Sequence, residues 1–167
     1  MNASALRIRR LTRDDAKEIL TWRYPPPYHV YNLNPANAES DLRYFLDPVN
    51  NFRAIVDATG ALVGFCSFGA DGQVPGGDYS DRAVDIGMGM RPDLTGRGEG
   101  ATYARAVLQY CLRHYGCERA RVTIAAFNRR ARRVWESVGF WQVSEFEQAG
   151  SRRRFVIMVC KRGESSV

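Results

Sequence analysis

Hydrophobic residues recur along the chain with two different periods, and each period predicts a different kind of element. From Leu6 to Leu11 apolar and polar residues alternate, which predicts a β-strand. Thr12 and Asp15 follow with the spacing of a capping box, so we predict a helix that begins there and runs to about Trp22. From Gly98 to Tyr115 apolar residues recur every three or four positions, which predicts a long helix with one buried face.

The remaining segments continue this mixture of strands and helices. Turns that contain glycine separate several apolar runs, which is typical of antiparallel strand pairs. The other predicted strands are Phe52 to Asp57, Ala61 to Phe68, Ala83 to Met90, Arg121 to Phe127, Phe140 to Glu147 and Arg153 to Cys160; the other predicted helices are Ala36 to Leu46 and a helix to Val138 with Asn128 as its N-cap. No linker or repeat interrupts this order, so we predict one α/β (α+β) domain over residues 1–167.

The composition agrees with a globular core and excludes several classes of protein. Of the 167 residues, 45% are hydrophobic and 25% are charged. Charge interrupts the apolar stretches before they could cross a bilayer, and the first residues contain no apolar signal segment, so we predict a cytoplasmic protein with no membrane partner. The cysteines lack C-x-x-C spacing and the two histidines lie far apart, so we predict no metal site. Cys66, Cys111 and Cys160 fall in apolar segments and are expected to be reduced core residues.

The net charge of +6 comes mainly from arginine and raises the question of an acidic partner. Two interpretations compete: a surface that binds nucleic acid, or a solvated face. No RNA-binding motif with interleaved aromatics and no recognition-helix pattern accompanies the arginines, so we favour the solvated face and predict no nucleic-acid partner. The clusters concerned are Arg129-Arg130, Arg132-Arg133 and Arg152-Arg153-Arg154.

Three alternating glycines, Gly96, Gly98 and Gly100, stand where an apolar strand gives way to the long helix. Glycines at such a junction let a loop present several backbone N–H groups to one anion, and the helix start adds partial positive charge. A dinucleotide site is one interpretation, with Glu118 as the ribose ligand about twenty residues further on. The spacing is G-x-G-x-G, however, Pro92 lies in a loop between strand and glycines, and too little chain follows for a doubly wound sheet.

Two motifs in this order resemble the GNAT superfamily of acyl-CoA N-acyltransferases over nearly the whole chain. The first family signature, [Q/R]-x-x-G-x-[G/A], is similar to the run from Thr95 to Gly100 except at its first position. The second, N-x-x-A-x-x-x-Y-x-x-x-G-F, is matched by Asn128, Ala131, Trp135, Gly139 and Phe140. The resemblance implies a mixed, mostly antiparallel central sheet with helices on both faces and a splayed strand pair at the acyl-CoA site.

The resemblance also implies acetyl-CoA as acyl donor and a set of residues that bind it. Its pyrophosphate is expected on N–H groups at the helix start. Its pantetheine arm is expected to pair with the strand that ends at Met90, with Asn128 on the other side. The residues implied in cofactor binding are Met88, Gly89, Met90, Gly96, Arg97, Gly98, Glu99, Gly100, Ala101, Thr102, Asn128 and Trp135.

Three positions depart from the family pattern. Thr95 replaces the Gln or Arg of the first signature, and Glu99 places a carboxylate between glycines, where it repels phosphate unless it points away. Trp135 occupies the position of a tyrosine that protonates the leaving thiolate in many members, and an indole N–H is no practical proton donor. This departure keeps open a second interpretation, a non-catalytic acyl-CoA-binding or regulatory protein on the same scaffold. The loop tyrosines that could donate instead are Tyr24, Tyr28, Tyr31 and Tyr79.

For the reaction itself, the resemblance implies amine acetylation by direct attack in a ternary complex. We predict Asp85 as the base, because it begins the strand that leads to the acetyl site; the alternative is a solvent-facing strand residue. Oxyanion stabilisation is expected from a backbone N–H around Met88 or Gly89. The acceptor site is expected between the aromatic loop from Tyr24 to Tyr31 and the loop from Asp71 to Tyr79, for a primary amine of a small molecule or peptide. Relatives that pair through their final strands also suggest a homodimer.

Overall fold

The computed structural model describes residues 5–163, and these residues follow the predicted order of elements. Each predicted strand and helix is confirmed, with ends that move by no more than two residues. The strands are β1 (Arg7–Arg10), β2 (Phe52–Val56), β3 (Leu62–Phe68), β4 (Val84–Met90), β5 (Arg119–Ala125), β6 (Trp141–Glu147) and β7 (Arg154–Lys161). The α-helices are α1 (Arg13–Thr21), α2 (Ala38–Leu46), α3 (Gly100–Tyr115) and α4 (Arg129–Ser137).

Side-chain caps begin two of the helices, as the sequence predicts. At α1 the Thr12 hydroxyl accepts from the Asp15 N–H at 3.2 Å, and the Asp15 carboxylate accepts from the Thr12 N–H at 2.8 Å. At α4 the Asn128 side-chain oxygen accepts from the Ala131 N–H at 3.0 Å. The caps satisfy N–H groups that have no partner inside the helix.

The strands form one sheet in the order β1-β2-β3-β4-β5-β7-β6. Every neighbouring pair is antiparallel except β4 and β5, which run parallel. The predicted mixed, mostly antiparallel sheet is therefore confirmed. No helix within residues 5–163 is long and apolar enough to cross a membrane.

Helices cover both faces of this sheet, and each face has its own apolar cluster. On one side Ile19 of α1, Trp22 directly after α1 and Phe45 of α2 form a cluster with Phe52. On the other side α3 and α4 bury a second and larger cluster. This second cluster includes the thiols of Cys66, Cys111 and Cys160, which are buried as predicted.

The parallel pair in the middle of the sheet separates partway along its length. β4 and β5 pair only from Val84 opposite Ala120 to Ile86 opposite Val122. Beyond this point β4 stays with β3 as far as Met90, while β5 stays with β7. The result is a V-shaped gap in the sheet, which is the predicted splayed strand pair.

Candidate functional site

The gap between β4 and β5 opens into a cavity of about 910 Å³. Its walls come from the splayed strands, the glycine loop and first residues of α3, the α4 helix, the Tyr24–Tyr31 segment, and apolar side chains of α1, α2 and β3. One cavity therefore joins most of the segments that the sequence identified separately. The predicted site residues that line it are Met88, Gly89, Met90, Gly96, Gly98, Gly100, Ala101, Asn128 and Trp135.

The backbone of β4 presents polar groups to this gap at alternate residues. Pairing with β3 uses the Arg91 N–H, which donates to the Val63 carbonyl at 2.9 Å, so the backbone of Met88 and Met90 is turned toward the gap. The same alternation turns Gly89 toward β3. Of the two residues predicted to supply an oxyanion donor, the geometry favours Met88 and disfavours Gly89.

The glycine loop has the conformation that an anion cradle requires. Gly96 and Gly98 adopt φ values of 72° and 78°, which residues with a Cβ adopt only with strain. The Glu99 side chain at the N-cap makes no hydrogen bond to the first turn of α3, which leaves N–H groups of this turn available at the cavity. Thr102 is less suitable than predicted, because its N–H donates to the Glu99 carbonyl at 3.0 Å. The loop thus fits a pyrophosphate, with N–H groups from about Gly98 to Ala101 as the donors.

The third glycine serves helix packing. A Cβ on Gly100 would lie 2.6 Å from a methyl group of Val134 in α4. The absence of a side chain at this position therefore lets the start of α3 approach α4 closely. This contact holds the glycine loop against the helix that follows Asn128.

Charged side chains around the loop are arranged so that the cavity is positive. Glu99 and Arg97 are exposed and do not line the cavity, so neither side chain is among the groups that border it. Three arginines of α4 do line the cavity: Arg129, Arg130 and Arg133. The three side chains are exposed, as the interpretation of a solvated face predicts, but sequence reasoning did not place them at the cavity. The sequence did contain a signal for this placement. The arginines fall in the first turns of the helix that begins after Asn128, the first residue of the second family motif.

The α4 side of the cavity holds the second motif. The Asn128 amide donates to the Tyr31 hydroxyl at 3.1 Å while its oxygen caps the helix. Trp135 is 4% exposed and meets the Phe140 ring edge-on, with centroids 4.9 Å apart. Trp135 therefore shapes the cavity wall as a packed aromatic group, in agreement with the expectation that it donates no proton.

Asp85 lies apart from this cavity, and its surroundings disfavour the predicted role of base. Its carboxylate is 3% exposed and accepts from the Arg121 guanidinium at 2.6 and 2.8 Å, and from the Gln73 amide at 2.9 Å. Three donors already occupy this carboxylate, and it does not line the cavity, so an amine in the cavity does not meet it directly. The alternative of a solvent-facing residue is wrong, because the side chain is buried, and the role of base stays an untested prediction. Sequence reasoning missed the partner because Arg121 is 36 residues away.

The four loop tyrosines take different positions. Tyr24 donates to the Met90 carbonyl at 2.7 Å, and Tyr31 accepts from Asn128. Arg130 lies over the Tyr28 ring, 4.1 Å from its centroid. The Tyr79 hydroxyl lies 2.9 Å from the Thr123 hydroxyl, outside the set of residues that line the cavity. Tyr24, Tyr28 and Tyr31 thus border the cavity, and Tyr79 supports it from behind Thr123.

Alkaline pH is expected to destabilise the protein partly through Tyr24. Burial raises the pKa of the Tyr24 hydroxyl from 10.0 to about 12, so the folded state holds this proton more tightly than the unfolded chain does. The stabilisation is fully present below pH 10 and is lost as the pH rises toward 12, by about 1.4 kcal/mol at about pH 11. Urea unfolding of the wild-type protein and of Tyr24→Phe checks this prediction. The unfolding free energy of the wild type minus that of the variant should fall by about 1.4 kcal/mol between about pH 8 and about pH 11.

A difference between the two proteins that stays constant over this pH range would contradict the prediction. Burial and the neighbouring Asp71 also raise the pKa of Tyr44 to about 12. This second tyrosine is present in both proteins, so its contribution cancels in the comparison.

Comparisons with known proteins agree with the motifs and the geometry. A family model described as an acetyltransferase (GNAT) domain matches residues 5–141. No curated protein sequence gives a significant match. Among residues 5–163, no group of three or more His, Cys, Asp or Glu side chains is placed to hold a metal ion.

Solved structures of acetyltransferases have the same fold. A GNAT-family acetyltransferase from Bacillus anthracis is similar with a TM-score of 0.73 at 15% identity, over 95% of this chain and 96% of that one. A spermidine N-acetyltransferase mutant from Vibrio cholerae gives a TM-score of 0.66 at 20% identity, over 94% of each chain. A protein described as a putative phosphinothricin N-acetyltransferase gives 0.67 at 17% identity, over 94% of this chain and 98% of that one. At these identities the similarity shows the fold.

Proposed function

Because the chain belongs to the GNAT acetyltransferase family, we propose that it transfers an acetyl group from acetyl-CoA to a primary amine of a small molecule or peptide. The amine attacks directly, in a complex that holds both substrates. The observation that carries the proposal is the continuity of the cavity, which runs from the glycine loop along the β4–β5 gap to an aromatic pocket. Such a cavity has room for a long donor at one end and an acceptor at the other.

In this proposal the donor lies along residues that share its chemistry. The N–H groups from Gly98 to Ala101 and the guanidinium groups of Arg129 and Arg130 bind the pyrophosphate. The amide groups of the pantetheine arm pair with the backbone of Met88 and Met90, as an added strand would. Because Tyr24 already donates to the Met90 carbonyl, the Met90 N–H is the better partner. Asn128 contacts the arm from the α4 side.

The reaction forms one C–N bond and breaks one C–S bond. A neutral amine nitrogen attacks the thioester carbonyl carbon, and the Met88 N–H stabilises the negative charge that develops on its oxygen. The C–S electron pair leaves with sulfur, and the thiol pKa of about 8.5 lets coenzyme A leave as a thiolate near neutral pH. The described cavity-lining residues include no Asp, Glu or His, so the ammonium proton passes to water.

A non-catalytic acyl-CoA-binding protein is the second candidate function. Trp135 favours it, because this buried indole stands at the acid position of the family motif. The locked carboxylate of Asp85 favours it as well. Loss of an acid and a base slows acetyl transfer, but it leaves the electrostatic and positional contributions of the cavity in place.

Thermal unfolding with and without acetyl-CoA tests the donor site, with NADPH as a control that carries similar phosphates. A ligand at about one hundred times its Kd should stabilise the protein by about 2.7 kcal/mol, which is several degrees for this size. Release of coenzyme A thiol in the presence of primary amines then tests transfer. Stabilisation together with amine-dependent release supports the enzyme. Stabilisation without release supports the acyl-CoA-binding alternative, and no stabilisation by acetyl-CoA contradicts both.

The homodimer and the cytoplasmic location also stay proposals. β6 forms one edge of the sheet and exposes Trp141 and Val143, which are 38% and 53% accessible. Exposed apolar residues on an edge strand favour pairing with a second chain. A spermidine N-acetyltransferase from Vibrio cholerae forms a dodecamer in a solved structure, so assembly occurs on this fold.

A further inference from the structure

We infer that the acceptor is a monoamine with an apolar, preferably planar body, and that polyamines are poor acceptors. This inference rests on the proposed acetyl transfer and names the substrate class of that site. It comes from the part of the cavity beyond the β4–β5 gap, which we call the acceptor arm. The arm is lined by Ile19, Trp22, Leu33, Phe45 and Phe65.

Aromatic rings form a continuous wall along the acceptor arm. Phe65 is the centre of this wall, with the Trp22 ring centroid 6.0 Å away and the Phe45 centroid 5.7 Å away. A planar apolar group contacts such rings favourably in stacked or edge-to-face arrangements. The wall therefore favours an aromatic or aliphatic acceptor body over a hydrated one.

The wall also reaches the strand on which acetyl transfer is proposed. Phe65 pairs with Gly89 across β3 and β4, and a Cβ on Gly89 would lie 2.4 Å from the Phe65 ring. Because Gly89 has no side chain, the ring lies directly on the β4 backbone between Met88 and Met90. An amine whose apolar body packs on Phe65 is therefore close to the proposed thioester position.

The lack of a carboxylate among the described lining residues disfavours a second ammonium group in the acceptor arm. The arginines among these residues lie on α4, where two are proposed to bind the pyrophosphate, so the missing carboxylate, and not the arginines, sets this preference. Two carboxylates close to β4 already have donors: Asp85 is paired with Arg121, and Asp71 accepts at 2.6 Å from both Tyr44 and Ser67. A buried ammonium without a carboxylate partner pays its desolvation cost without compensation. Polyamines carry at least one such charge beyond the reacting amine.

Amines of matched length provide the test. Hexylamine and hexane-1,6-diamine differ only in the second amino group, 2-phenylethylamine adds a planar body, and spermidine adds charge. We expect at least a tenfold higher kcat/KM for hexylamine than for the diamine, and a further increase for 2-phenylethylamine. Calorimetric binding of each amine to the protein saturated with coenzyme A should give the same order. A diamine or spermidine that binds as tightly as hexylamine would overturn the inference.

The binding measurement separates this inference from the proposed function. If no amine releases coenzyme A thiol but the monoamines bind more tightly, the proposed transfer fails and the acceptor class stands. If spermidine is acetylated faster than the monoamines, the transfer stands and the acceptor class fails.

A charge variant tests the same point from the side of the protein. Leu33→Asp places a carboxylate in the half-buried part of the arm, and Leu33→Asn adds the same polarity without charge. The ratio of diamine to hexylamine binding should rise about tenfold in the aspartate variant relative to the asparagine variant, which corresponds to about 1.4 kcal/mol. Equal ratios in the two variants count against the inference. Circular dichroism checks that both variants fold. If either variant is unfolded, the order of amine affinities measured with the wild-type protein decides whether the inference holds.

Discussion

Replacement of Asp85 by asparagine is expected to lower the free energy of unfolding by about 3–5 kcal/mol, which is the usual cost of leaving one member of a buried ion pair alone. The Arg121 and Asp85 side chains are 4% and 3% exposed, so water cannot replace the lost carboxylate. The guanidinium also donates to the Asp81 carbonyl, and the Asp85 carboxylate accepts from Gln73. The pair therefore joins the start of β4 and β5 to the loop between β3 and β4.

Urea unfolding near neutral pH measures this loss, and an exposed pair provides the matched control. Arg154 and Glu145 form a similar contact at 2.8 Å, but their side chains are 56% and 39% exposed. Glu145→Gln should therefore cost no more than about 1 kcal/mol. If Asp85→Asn keeps wild-type stability but loses about a hundredfold in kcat with a changed pH profile, the sequence prediction of a catalytic base is correct.

Replacement of Gly98 by alanine is expected to weaken acetyl-CoA binding by about five- to thirtyfold. At a φ of 78° the added Cβ meets no neighbouring atom within 4 Å, so the effect comes from backbone strain. The left-handed conformation costs a residue with a Cβ about 1–2 kcal/mol of strain. The alanine variant therefore relieves this strain when its loop leaves the cradle conformation. Restoring that conformation for the pyrophosphate then subtracts the same free energy from binding.

A glycine outside the site separates this effect from general destabilisation. Gly60, in the turn between β2 and β3, has a φ of 87° and equally open surroundings. Gly60→Ala should lower the melting temperature to a similar extent but leave the acetyl-CoA dissociation constant unchanged. Calorimetric titration of both variants measures this. Equal affinities in the two variants would show that the glycine loop does not hold the donor.

Local sequence signals explain why so much of the fold could be predicted. The capping box at Thr12, the N-cap at Asn128 and the apolar periodicity of α3 each depend on residues within a few positions of one another. The same is true of the glycine loop, whose positive φ values at Gly96 and Gly98 follow from residue type. Most of the residues predicted from these motifs line the cavity, whereas Arg97, Glu99 and Thr102 do not, and cofactor binding by all of them stays a prediction.

Residues whose environment comes from distant segments were predicted less well. Asp85 was expected to face the acetyl site, but the parallel register places Arg121 opposite it. The arginines of α4 are exposed as expected, but they also line the cavity, because α4 packs against the start of α3 at Gly100 and Val134. The Asp85–Arg121 pair has no signal within a short sequence window, because the two residues are 36 positions apart along the chain.

The sequence by itself determined the order of strands and helices, their caps, the glycine loop and the family, because these depend on short-range periodicity and on residue type. Only the tertiary structure decided where β4 and β5 separate, which backbone groups of Met88 and Met90 face the gap, and which charges border the cavity. It also decided that Phe65 lies on Gly89 beside the proposed acetyl site. These properties depend on strand register and helix packing, which bring together side chains that are distant in sequence and leave others apart.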